Sequence, residues 1–98
     1  RKAIHVAAVF ACNFTNFMLA CANEILEHEG LNIAELKPLI EETVTKAIES
    51  DNPISVQTGP ARRSDNRTIF LHEQYLKNRP DLKDLYASIS QKIMRKFE

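Results

Sequence analysis

The sequence predicts an all-α fold of about four helices. Three observations carry this. Apolar residues recur at helical spacing through four segments. Gly is only 2 and Pro only 4, too few turn residues for an all-β chain of 98 residues. The single short strand-like run, Ile54-Ser55-Val56, finds no partner strand elsewhere.

The first helix is expected from about Lys2 to His28, ending at Gly30, a frequent helix C-terminal residue. It is apolar nearly all round, which predicts a central, buried helix. At 100° per residue, His5, Cys12, Asn16, Asn23 and Glu27 fall on one stripe, with Asn13 beside it. The second helix opens at Asn32, with Glu35 three residues on as a capping box. Leu36, Leu39, Ile40, Thr43, Val44, Ala47 and Ile48 carry its period, and Pro38 should kink or restart it near the first turn. It stops at Ser50-Asp51-Asn52-Pro53. Residues 54–63 read as a loop with at most one helical turn, and Thr58-Gly59-Pro60 is a turn signal.

Ser64 or Asp65 should cap a third helix reaching about Asn78. Asp65, Thr68, Ile69, His72, Tyr75 and Leu76 share its inner face, and Phe70 points away. A fourth helix follows Pro80 or Asp81, with the stripe Leu82, Leu85, Tyr86, Ile89, Ile93 and Phe97. Lys92, Arg95 and Lys96 complement the dipole in its last turns.

Length limits this chain to one modest domain, residues 1–98. Lys+Arg is 13 and Asp+Glu is 13, and a zero net charge argues against nucleic-acid binding through Arg62, Arg63 and Arg67. Two glycines cannot form a glycine-rich dinucleotide loop. Cys12 and Cys21 on one helix stand about 13 Å apart along its axis, too far for a disulfide. Buried free thiols fit a cytoplasmic setting. The longest apolar run, Val6 to Cys12, is too short for a membrane span, so no membrane is expected. The Arg1-Lys2 start without Met leads us to expect an excised C-terminal domain.

Three groups are candidates for chemistry. His5, Asn13 and Asn16 either line a ligand cleft or face solvent and cap a loop. The segment from Thr58 to Asp65 joins a turn to a helix N-terminus. It either receives a phosphate or carboxylate, helped by Arg62, Arg63 and Arg67, or is a solvated loop whose arginines pair with Asp65 or Glu73. His72 is a hydrogen-bonded core residue or a ligand contact. The three histidines show no metal spacing, and no metal or nucleophilic site is expected.

The string His5-Val6-Ala7-Ala8-Val9-Phe10-Ala11-Cys12-Asn13-Phe14 is followed by Thr58-Gly59-Pro60-Ala61-Arg62-Arg63-Ser64-Asp65 and then His72. In order and spacing this resembles the helical C-terminal domain of unknown function that follows a Rossmann domain in bacterial NAD(P)-dependent oxidoreductases. The wider group looks like pyrroline-5-carboxylate reductase and 6-phosphogluconate dehydrogenase. The resemblance covers nearly the whole chain. It implies a 6-phosphogluconate dehydrogenase C-terminal-like helical domain that binds a small-molecule substrate and forms a homodimer. NADP or NAD would be held by an upstream Rossmann domain and not by this chain. It makes His5, Asn13, Asn16, Thr58, Gly59, Pro60, Arg62, Asp65 and His72 the cleft-lining candidates. Several relatives carry a catalytic Lys four residues before the helix Asn. That position is Val9 here, so no general acid is transferred and catalytic residues stay unassigned. The rival reading is a non-enzymatic helical interaction module.

Overall fold

Every residue from Arg1 to Glu98 is described in the computed structural model, and all regular elements are helical. Four helices run Lys2–His28, Lys37–Glu49, Asn66–Tyr75 and Pro80–Arg95. Short 3-10 turns occupy Ile33–Leu36 and Pro53–Val56. The chain divides into two compact units, Arg1–Thr45 and Lys46–Glu98.

In the first unit, the first helix is α-helical over Lys2–Ala8 and Thr15–His28 but π-helical over Val9–Phe14. An i→i+5 ladder takes up about one extra residue. One residue is roughly 100° of helix rotation, so the stripe drawn at uniform spacing does not run through: His5 is out of phase with Asn16, Asn23 and Glu27.

The first helix is also not the buried centre its composition predicts. Residues 1–8 and 10–18 are exposed, with Ile4 at 75% and Phe10 at 65%. Cys12 is exposed and Cys21 buried, and the two form no disulfide. The reason is supply: a chain this short has little apolar surface to set against a helix apolar on every side. By length and composition the whole 27-residue helix is one that can cross a bilayer, so the short unbroken run Val6 to Cys12 was too narrow a test. The core helix of a soluble protein and a signal sequence pass the same test.

The helix ends in a Schellman motif. Gly30 takes φ +78°, its amide donates to Glu27 O at 3.0 Å, and Leu31 N donates to Leu26 O at 2.9 Å. Asn23 Oδ1 then accepts from Ile33 N at 2.8 Å, pinning the outgoing chain to the helix. Asn32 caps the 3-10 turn through Ala34 N. The α-helix starts at Lys37, one residue before Pro38, the restart that proline imposes. Its expected stripe is thin: Leu39 and Ile48 are exposed and no residue of this helix is buried.

The second unit has its buried apolar residues at Ala61, Leu76 and Leu82. The third and fourth helices pack as a hairpin through a turn at Lys77–Arg79. Leu76 and Leu82 stand equally far either side of Arg79, which brings both inside. The predicted stripe of the fourth helix is recovered whole, with Leu82 buried and Leu85, Tyr86, Ile89, Ile93 and Phe97 part-buried. Tyr75 departs from the inner face assigned to it. It lies about 80° from the centre of its stripe and is exposed.

Candidate functional site

The candidates divide between the two units. His5, Asn13 and Asn16 lie on the first helix, all exposed, and their side chains make no hydrogen bond within the chain. Asn13 falls inside the π-helical segment, a feature that recurs at functional sites. Asn23, from the same predicted stripe, has a structural task through Ile33.

Thr58 to Asp65 and His72 belong to the second unit. Gly59 takes φ +103° with open space where a Cβ would stand, so backbone conformation and not room requires glycine there. Pro60 to Asp65 then wind one helical turn. Ser64 N donates to Ala61 O at 3.2 Å and Asp65 N to Pro60 O at 2.9 Å. This is again a Schellman pattern, but its left-handed residue is Ser64 at φ 55°. A non-glycine residue here costs roughly 1–2 kcal/mol. Strain of this kind persists where surrounding structure demands it.

Asp65 caps the third helix. Its Oδ1 accepts from Thr68 N at 3.1 Å and its Oδ2 from Thr68 Oγ1 at 2.7 Å. The Thr68 side chain, its amide and then Arg63 hold the Asp65 carboxyl below its ordinary range. Arg63 Nη2 lies 3.7 Å from Asp65 Oδ2. Arg62 stacks over the Phe97 ring at 3.9 Å. The helix N-terminus considered for an external anion is therefore served by the protein's own carboxylate, and two of the three nearby arginines have partners inside the chain.

His72 is exposed, yet its Nδ1 lies 2.8 Å from Tyr86 Oη across the hairpin. Burial first, then the charges of Glu73 and Asp65, push the Tyr86 phenol up. In the sequence pattern Tyr86 is one member of an apolar stripe. The signal was present: His72 and Tyr86 are equidistant from Arg79, like Leu76 and Leu82.

An open hollow of about 590 Å³ is lined by Lys46, Glu49, Ser50, Val56, Gln57 and Thr58. Of the sequence candidates it includes Thr58 alone. Its other walls come from the end of the second helix and the 3-10 turn, which carried no motif. A hollow of about 360 Å³ in the first unit, lined by Asn32, Ile33, Ala34, Lys37 and Ile40, holds none of the candidates. No three His, Cys, Asp or Glu residues are grouped as metal ligands.

A crystal structure of the "putative NADP oxidoreductase BF3122 from Bacteroides fragilis" is 42% identical over 96% of this chain, with a TM-score of 0.91. The chain spans 36% of that protein's length. No curated protein matches it. The family model described as "Domain of unknown function (DUF2520)" matches residues 1–93, and with nearly the whole length accounted for, the chain belongs to that family.

Proposed function

We propose that this chain is the substrate-binding and dimerisation domain of an NADP-dependent oxidoreductase, completing an active site with an upstream Rossmann domain. One observation carries the reading: 42% identity to a part of the Bacteroides fragilis protein, over 96% of this chain. In this reading the cofactor supplies the redox chemistry, and the protein positions the substrate and excludes water. Asn13, in the π segment, contributes a polar group for substrate, and the Thr58–Asp65 loop of the other unit is a separate candidate. The exposed apolar side chains of the first helix, Ile4, Phe10, Phe14 and Phe17 among them, meet a second copy. Catalysis then runs in the cytoplasm, where a free Cys12 thiol stays reduced.

The test uses the full-length protein that carries this chain. Titration with NADPH should quench or shift its fluorescence at micromolar cofactor. Asn13→Ala should then lower turnover or substrate affinity and leave NADPH binding intact. A full-length protein that binds no NADPH overturns the reading.

A further inference from the structure

The His72–Tyr86 pair joins the third and fourth helices, and its chemistry goes further than a strap. The two rings meet edge to face with centroids 5.7 Å apart, and Nδ1 and Oη are 2.8 Å apart. Tyr86 is part-buried, and within the chain its hydroxyl pairs with His72. Burial and the nearby carboxylates of Glu73 and Asp65 disfavour the phenolate, so the phenol keeps its proton at neutral pH. A protonated phenol has an O–H to donate, and His72 Nδ1 stands within reach of it at 2.8 Å. With the phenol as donor, Nδ1 accepts and the ring proton belongs on Nε2. No group of the chain bonds Nε2, and His72 is exposed.

We propose that Tyr86 is a positioning residue that holds His72 as the Nε2–H tautomer, so that this N–H is offered to an oxygen of a substrate carbonyl or carboxylate. The inference rests on the reading of this chain as a substrate-binding domain. A purely structural strap has no need of a particular tautomer and leaves Nε2 without a task. A donor for substrate needs both a fixed ring and a proton on the outward nitrogen, and the hydroxyl of Tyr86 supplies the two together.

The experiment uses the full-length protein with isotope-labelled histidine nitrogens and pyruvate as the probe, since pyruvate presents a ketone and a carboxylate. The Nε2 signal of His72 should move saturably with pyruvate. Tyr86→Phe keeps the ring and removes the hydroxyl. It should shift the Nδ1 signal and weaken pyruvate binding about tenfold, the loss expected for one oriented hydrogen bond. His72→Gln places an amide N–H near the Nε2 position and should retain binding, followed by ligand-observed NMR. His72→Asn places its amide near Nδ1 and should lose it. This pair decides the matter if Tyr86→Phe does not fold. A His72 signal unmoved up to about 50 mM pyruvate overturns the inference, since that limit leaves under roughly 2 kcal/mol of binding. So does a folded Tyr86→Phe that binds pyruvate as the wild type does. NADPH titration of the same sample keeps the two proposals apart. Cofactor binding with a silent His72 removes the present inference alone. Absent cofactor binding removes the domain reading, and a His72 response in that sample still supports the donor role.

Discussion

Asp65 holds Thr68 twice, by the backbone amide at 3.1 Å and by the hydroxyl at 2.7 Å. The start of the third helix therefore depends on one carboxylate. Asp65→Ala should lower the thermal midpoint. Asp65→Asn should lower it less, because an amide oxygen still accepts from the Thr68 N–H. The native carboxyl lies below its ordinary value of 3.8, with the Thr68 hydroxyl as the leading cause. Its stabilising contribution is thus complete above the unfolded value and disappears as pH falls through the lowered native one. Thermal scans between neutral and strongly acid pH check this: wild type should lose part of its stability below about pH 4, and Asp65→Asn should lose less.

Ser64 gives the opposite sign. It occupies the left-handed position of a Schellman turn that glycine fills at the end of the first helix. Ser64→Gly should stabilise the chain by about 0.5–1 kcal/mol, the relief of left-handed strain less the added freedom of the unfolded glycine. Urea unfolding measures it. If the loop serves substrate, the same variant should also weaken substrate binding, a trade of activity against stability.

Two asparagines on the first helix should behave differently. Asn23→Ala leaves the Ile33 amide without its acceptor, a part-buried bond of 2.8 Å, and should cost about 1–3 kcal/mol. Asn13→Ala removes an exposed side chain that bonds nothing in the chain and should change stability by no more than about 0.5 kcal/mol. Paired denaturation curves decide it; equal losses would count against the division of tasks.

The exposed aromatic pair of the first helix should hold a homodimer. Phe10 and Phe14 stack edge to face at 5.0 Å, with Phe10 65% and Phe14 46% exposed. An interface that covers them should bury at least about 1,000 Å². Sedimentation equilibrium should find a dimer at tens of micromolar, roughly, and the double variant Phe10→Asp, Phe14→Asp should sediment as a monomer with helicity retained. A monomeric wild type at that concentration argues against the dimer.

The chain by itself should bind NADPH no more tightly than about millimolar, on the order of 4 kcal/mol. Its two glycines, Gly30 and Gly59, lie in separate turns, and it has no strand to carry a ribose. Asp65 already occupies the one helix start beside the arginines. Isothermal titration of the isolated chain is the measurement, and micromolar binding would place a cofactor site on these helices.

The helical architecture was legible because the stops are local. Gly30, Pro38, Asn52-Pro53 and Asp65 act on their own neighbours, so a linear reading finds them. The fourth helix was legible because one face alone is apolar. Burial of the first helix was not, since an all-apolar helix looks the same whether its own chain or another one covers it. The π segment was invisible for a different reason: Val9 to Phe14 has no residue that forbids an ordinary α-turn. Of the candidate site, the loop and His72 could be picked out by residue type. Their partners, Tyr86 and Phe97, hide in an apolar pattern and emerge only when the hairpin is folded about Arg79.

The π-helical offset makes the first helix two rods in series with an angular slip between them. Everything that secures the helix lies beyond the slip: Cys21 is buried, Asn23 holds Ile33, and Gly30 closes the end. Before it, Lys2–Ala8 is exposed throughout and offers mainly aliphatic surface, Ile4 and Val6 among alanines. Deleting one residue between Val9 and Phe14 would restore a uniform α-ladder and turn the Lys2–Ala8 tip by roughly 100°, with the anchored half undisturbed. The tip is therefore separately tunable. A single-codon change can redirect the surface it offers, and with it the geometry of whatever binds there, at no cost to the unit that supports it.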